Sequence, residues 1–570
     1  MKLTPLRLTS FDGGINRSLS DFEIKDNEVV VAENCFLDQA KIVKRKGYTK
    51  LTEELASGAD VISIYEFYKE STATSHLLVQ AGTSVYEIDK STGEIVSTPI
   101  DGALTEGYPL TYATINSTVY MSNGKDPVYK WNNTGAATQV NGGDFPKAKY
   151  IIVHKDKLFL VNIATASASY PVNENMVYFS QAGAPETIDS DAHFIVYTTD
   201  GDVLSGVASL FGYLILFKNH STHRLQGTSK GELILDSNLV CAYPSVGCVS
   251  HKSIVHVPGG IAFLSDEGVQ VFDSSQMIKI SEKVDDFTAN ISRSYRHKSS
   301  AFWDGKHYRL SYATGDSTTP NETLVGNIRT NCWTVFTYGM NDYFVGRDGN
   351  IYGAGDGGFV HKIDSGLSDA GEAIDMKVTT KVFDFGAPHL MKVFRKASID
   401  AFNTNATLEF MTVVDRGEAS FLEVLELATG TTFWGVNNWA VDSGTVSITS
   451  GTPIVTRSAE GANWLSVVEV GDSFQVDGDP KVYTVQSVDS DTQITLTENY
   501  TGDDVVDGTY CIWNDDTLMW EEPTPSSSRF SYPKTVKGRS VYFQFRERGI
   551  GSELEVFGLQ IRIRTKEGER

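Results

Sequence analysis

The sequence predicts an all-β chain of several domains, and three observations predict it. Short segments of alternating apolar and polar residues recur along the chain, each bounded by Gly, Asp, Asn or Ser, as half-buried strands and their turns require. Aromatic residues make up 11%, with 29 Phe and 25 Tyr, alongside 50 Gly. Aromatics suit pleated faces and glycines suit the turns between them. Helical periodicity is nearly absent, its only short candidates being 27–34 and 281–289. A chain of 570 residues is too long for one core, so about three or four domains are expected.

The elements follow in order. Residues 1–55 open with the turn-rich "RLTSFDGGIN", which cannot build a core alone, so an N-terminal arm lying against another part is expected. Then one plan repeats: strand, polar turn, strand. "HLLVQAGTSVYEID" (76–89) turns at Ala-Gly-Thr, and "STVYMSNGKDPVYKW" (117–131) at Asn-Gly. "HKDKLFLV" (154–161), "NMVYFSQ" (175–181), "FGYLILFKNHSTHRLQG" (211–227) and "GGIAFLSDEGVQVFD" (259–273) continue it. "FWDGKHYRLSYA" (302–313), "CWTVF" (332–336) and "NDYFVGRDGNIYGAGDGGFVHKID" (341–364) end the series. A spacing of about 40 to 50 residues is that of propeller blades, which predicts an irregular β-propeller over 56–372 with about five to seven blades. The literal GxGxxG at Gly353–Gly358 belongs to this series. A dinucleotide loop would open a helix, whereas here five residues lead to another glycine-containing turn, so a blade hairpin is expected.

The last third changes character. "KVTTKVFDFGAPHLMKVFRKASIDAF" (377–402) and "ATLEFMTVVD" (406–415) read as longer strands, and 534–549 and 554–565 as their partners. A β-sandwich platform over 373–430 and 530–570 is expected, interrupted by an inserted small β domain over 431–529. Residues 441–516 hold 14 Asp+Glu and 2 Lys+Arg, a net −12, which predicts a solvated, peripheral insert. Residues 534–570 hold 9 Lys+Arg and 5 Glu, a net +4.

The chemistry-bearing residues carry bland readings. Cys35, Cys241, Cys248, Cys332 and Cys511 are scattered and odd in number, which predicts buried thiols and no disulfide framework. His220 and His223 have no third ligand near in sequence, so hairpin positions and no metal site are expected. The Asp-rich stretches at 198–203, 477–480 and 489–492 lack the calcium-loop pattern and read as turns. No GxSxG, P-loop or HExxH occurs, and "SDEGVQVF" (265–272) and "WDGKHYRLSY" (303–312) are only loosely like sialidase boxes. No catalytic, cofactor-binding or metal residue is assigned, and a non-enzyme is expected. No apolar run reaches the roughly 18 residues of a membrane helix, and "MKLTPLRLTSFDGG" lacks a signal-peptide core, which predicts folding in a cytoplasm. A net charge of −23 argues against tight non-specific DNA binding, while an acidic wall would let DNA slide past.

The opening residues carry a resemblance. Gly13-Gly-Ile-Asn16, Asp26-Asn-Glu28, Asn34 and Arg45-Lys-Gly47-Tyr48 are similar to the start of many tailed-phage structural proteins. "HKDKLFLV", "VYFSQAGAPE", "GGIAFLSDEGVQVF" and "WTVF" follow in the order seen in the tail hub, or nozzle, proteins of short-tailed phages, also called packaged-DNA stabilisation proteins. "VEVGDSFQVDG", "YTVQSVDSDTQITL" and "GTYCIW" resemble a small β domain of phage tail and collar proteins. The resemblance implies a virion protein made in the host cytoplasm. It implies a homohexameric ring below the portal and adaptor proteins, contacting tail fibres or spikes, that holds packaged dsDNA and conducts it at ejection. The alternatives are a receptor-binding or fibre-attachment protein and, behind that, a tail-borne glycan hydrolase; the lack of long repetitive stretches favours the hub. Arg546, Arg548, Arg562 and Arg564 alternate with apolar residues, and a subunit or adaptor contact is expected there in preference to phosphate.

Overall fold

The computed structural model describes residues 4–37, 40–196, 201–227, 234–236, 246–404, 406–415, 419–426, 445–457, 464–468, 470–476, 479, 481–513, 526–531 and 537–566. The chain divides into two compact units, Met1–Ala428 with Ser527–Arg570, and Thr429–Ser526.

The first unit holds an irregular β-propeller. Its blades are meanders of four antiparallel strands, because each apolar-alternating segment ends in a turn short enough to send the chain straight back. Among the described residues there are seven, the upper end of the expected range: within 61–100, 111–139, 147–195, 204–236, 255–279, 300–336 and 342–363. The first strand of each blade is innermost, and Asp342–Val345 of the seventh lies beside Val61–Lys69 of the first, closing the ring. Asn341 Nδ2 donates to the Val61 carbonyl across that closure at 3.1 Å. The seventh blade has three strands of its own. Its fourth is Tyr48–Lys50, with Ile363 opposite Tyr48 and His361 opposite Lys50. The glycine-rich stretch is a hairpin of this blade, Ile351–Ala354 against Val360–Ile363. Gly358, at φ 82°, packs so close to the Leu55 carbonyl that no Cβ fits.

The platform is two facing sheets. In one, Met391–Thr404 and Glu553–Lys566 pair along their lengths, with Thr4–Leu8 and Ile42–Lys44 also bonded to Glu553–Lys566. In the other, Met376–Thr380, Val541–Glu547, Thr407–Val414 and Ala419–Glu426 follow one another. Val541–Glu547 alternates strictly, so Val541, Phe543 and Phe545 enter a core with Phe410, Phe394, Ile399 and Ile561. Phe410 and Phe543 stack at 5.8 Å.

One expectation is corrected. Residues 27–34 are not a helix: Glu28–Glu33 is a strand, for its consecutive Val residues fill a sheet with partners on both edges. Residues 1–55, expected as an arm lying against another part, contribute strands to both propeller and platform. Glu28–Glu33 sits between Cys332–Phe336 of the sixth blade and Met376–Thr380 of the platform, fusing them into one ten-stranded sheet. The second helical candidate is a 3-10 turn, Glu282–Val284, followed by a short helix, Asp285–Ala289.

The second unit has its own seven-stranded sheet and core, with Trp464, Phe474, Tyr483, Val485, Ile494 and Leu496 buried together.

Candidate functional site

The residues that carry the phage resemblance are structural ties. Glu28 is 2% exposed and accepts from Asn16 Nδ2 at 2.9 Å and from the Lys25 amide at 2.9 Å, with Lys283 Nζ at 3.1 Å. Burial pushes its carboxyl up, but these donors outweigh it and hold the pKa below the usual range. Arg45 is fully buried and forks onto Asp369 at 2.8 and 2.6 Å, with Nε on Asn34 Oδ1 at 2.8 Å. Asn34 in turn donates to Thr337 and to the Asp375 carbonyl, each at 2.8 Å. Gly47 packs against the Ser368 carbonyl, and Tyr48 lies edge-on to His361 at 5.0 Å. Lys44 forms a buried ion pair with Glu547 and donates to Ser552 at 2.8 Å. All of it joins the N-terminal segment to blades and platform.

A cavity of about 490 Å³ lies where the innermost strands begin, at one end of the propeller channel. Blades or the segments leading into them line it, with Ile62, Thr111, Tyr150, Ser205, His251, Thr319 and Asn341 among the lining residues. Lys252 there is a structural cation. It donates to the carbonyls of Ile62 and Asn341 and stands 3.3 Å from Asp342, tying three blades together. Lys298 donates to the Thr318 carbonyl at 2.9 Å. Lys149 differs. Its ammonium stands 5.5 Å from the Tyr150 ring. Burial lowers its pKa, and the charge of Glu174 only partly opposes that. His251, stacked on Tyr150 at 4.5 Å, is pushed down to about 4 by burial and then by the charges of Lys252 and Lys149. His297 is lowered by burial, by Lys149 and by Lys298. Opposite Lys149 on the next strand is Asn162, the pairs Ala148–Ile163 and Tyr150–Val161 bracketing the two. Asn162 is 3% exposed; its Nδ2 donates to the Leu204 carbonyl at 2.7 Å, while its Oδ1 has no partner.

Sequence reasoning singled out none of these channel residues. The signal present was a Lys inside the apolar strand "KAKYIIVH", a polar break in an innermost strand. The positions it did weigh are spread elsewhere. His220 sits 3.1 Å from Asp266, which also pairs with Arg296, and His223 is buried in the strand Thr222–Gln226. Asp304, in the second sialidase-like stretch, is raised by burial but held far below the carboxylate range by a hydrogen bond from His307 and the charge of Arg309. Cys35, Cys248 and Cys332 are buried and in no disulfide, while Cys241 and the Cys511 side chain lie outside the described residues, as do parts of 198–203 and 477–480. Among the described residues no three His, Cys, Asp or Glu side chains are grouped to hold a metal ion. Arg546 and Arg548 are taken within the chain, forking onto Asp375 at 2.8 and 2.5 Å and pairing with Glu409 at 2.5 Å. Arg562 is exposed while its neighbours Ile561 and Ile563 are buried; the side chain of Arg564 lies outside the described residues.

No family model and no curated protein matches the chain. Among solved structures, similarity is found to an extracellular domain described as that of a one-component system of B. thetaiotaomicron, at 12% identity and TM-score 0.39. That match covers 58% of this chain and 41% of the other, so this chain spans less than half of that relative's length. A second is the β-propeller domain of Cps50 (Swd1) from Myceliophteria thermophila, at 8% identity and TM-score 0.35, covering 55% and 99%. A third is BBS1N in complex with ARL6DN, at 10% and 0.37, covering 57% and 99%. At these identities and TM-scores they carry no argument about function, and the fold rests on the chain's own strand pairing.

Proposed function

We propose that this chain is a non-enzymatic structural subunit of a short-tailed bacteriophage tail: the hub, or nozzle, ring below portal and adaptor, which retains packaged DNA and passes it at ejection. One observation carries the reading. The motifs shared with tail proteins, from Gly13 to Tyr48, are spent on welding the propeller to the platform, through the Arg45–Asp369 fork and the strand Glu28–Glu33. A subunit whose job is to bear load in a ring needs its two β domains to move as one, and the sequence resemblance falls on the residues that achieve it. The charge supports the same reading, since −23 leaves DNA little to adhere to and two of the four C-terminal arginines are already paired inside the chain. Among the described residues no helix is long and apolar enough to cross a membrane. Mass photometry and electron microscopy of the purified chain test it, with mass spectrometry of virions from a phage encoding it. Six-fold rings and a virion protein in matching copy number are expected. A chain that stays monomeric at high concentration and is missing from virions sinks the reading.

A further inference from the structure

One face of the platform sheet built on Glu553–Lys566 gathers cations. The strand register sets Pro5, Arg562 and Lys396 opposite one another across three adjacent strands. Arg7, Gln560 and Ser398 form the next row on that face. Arg7, Lys396 and Arg562 are exposed, while Ala397, Leu559 and Ile561 on the other face are buried in the core. Directly opposed residues have Cβ atoms about 5 Å apart and diagonal ones about 7–8 Å. Arg562 thus has Lys396 and Arg7 within about one screening length at physiological salt. Like charges directly opposite destabilise a sheet. Arg562 against Lys396 therefore works against the isolated chain, and carboxylates laid over the face relieve it.

A second copy of the chain supplies those carboxylates, since each copy carries a net charge of −23. Duplex phosphate would meet the same three cations but be repelled by the rest of the surface. The basic face cannot pair with itself, because a two-fold contact centred here would set cation against cation. It must meet a different, acidic surface, head to tail, and that is the kind of contact that closes into rings. We propose that the face holding Arg7, Lys396 and Arg562 is the basic half of a heterologous contact between copies of this chain, and that an acidic surface of the next copy is the other half. The proposal rests on the ring reading above and gives that ring its direction.

Mass photometry of the parent chain, of an Arg7→Glu/Lys396→Glu/Arg562→Glu variant and of their mixtures tests it. The parent is expected to form rings and the variant to stay monomeric. The variant keeps the acidic half, so in mixtures it is expected to occupy basic faces while offering none, and to cut the yield of rings severalfold. Lys396→Gln removes the opposed charge, and is expected to lower ring yield while the unfolding midpoint of the dilute chain is no lower than the parent's. Rings formed by the triple variant at the parent's yield overturn the proposal and leave the ring reading standing. A parent that stays monomeric overturns the proposal and tells against the ring as well. A variant that leaves the parent's rings untouched in mixtures overturns the head-to-tail contact. A Lys396→Gln midpoint below the parent's assigns the side chain to the fold, and micromolar duplex binding lost in the triple variant with rings intact assigns the face to phosphate; either overturns the proposal.

Discussion

Arg45 and Gly47 show how much of the fold hangs on single positions. The Arg45 guanidinium is enclosed, and only a planar fork reaches both oxygens of Asp369 and Asn34 Oδ1 at once. Arg45→Lys is expected to cost about 3 kcal/mol, because Asp369 and Asn34 are left incompletely paired. Gly47→Ala drives a methyl into the Ser368 carbonyl and is expected to cost about 2–3 kcal/mol. Urea denaturation of both variants checks the two figures, and midpoints within error of the parent refute them. Two histidines set a pH dependence. His361, 7% exposed and beside Lys50, and His251 in the channel are both held neutral down to about pH 4 by burial and then by lysine charge. The unfolded chain takes up those protons near 6.5, so their contribution is complete above that pH and is lost as pH falls toward 4. For His361 the loss is at most about 3 kcal/mol. The unfolding midpoint is expected to drop across this window, and His361→Gln to flatten the drop.

At the scale of the element, what was legible in the sequence is what is local. Thr74–Ala81 with Ser84–Ile88, or Gly260–Ser265 with Gly268–Phe272, read plainly because alternation and a turn residue lie within about fifteen positions. Glu28–Glu33 did not, since Val29-Val-Val-Ala32 is a short apolar run that periodicity alone cannot assign, and its partners lie some 300 residues away. The channel site was illegible for the same reason. Lys149 and Asn162 share the third blade, while His251 and His297 precede the fifth and sixth, and no spacing in one sequence says that the innermost strands converge. The inserted unit was visible through its charge and dense turns, and it owns a core built around Trp464. Replacing residues 429–526 by a short Gly/Ser linker is therefore expected to leave the first unit's unfolding midpoint within a few degrees, since the strands Ala419–Glu426 and Ser526–Ser531 lie at its two ends. Aggregation of the excised chain would show a shared core instead.

The whole molecule is held shut by its two ends. Thr4–Leu8 lies antiparallel to Glu553–Lys566, Leu8 opposite Leu559, and Lys44 is buried against Glu547. Removing residues 1–50 takes the fourth strand from the seventh blade, the bridging strand from the ten-stranded sheet and three strands from the platform. The truncated chain is expected to lose its cooperative thermal transition, so a truncation cannot serve as a test of ring assembly alone. The same stitching fixes an order in time. A ribosome releases residues 4–50 first and 541–566 last, separated by roughly half a minute to two minutes of elongation. The early blades can close as they emerge, each from neighbouring residues. The run Val29–Val31 must wait unpaired until Cys332–Phe336 and Met376–Thr380 arrive, and Thr4–Leu8 and Ile42–Lys44 until Glu553–Lys566 does. Completion thus comes late, with a high contact order and a sticky strand exposed while some 300 residues are made. Yield of native protein should accordingly depend on chaperone supply during translation more than on any property of the finished fold.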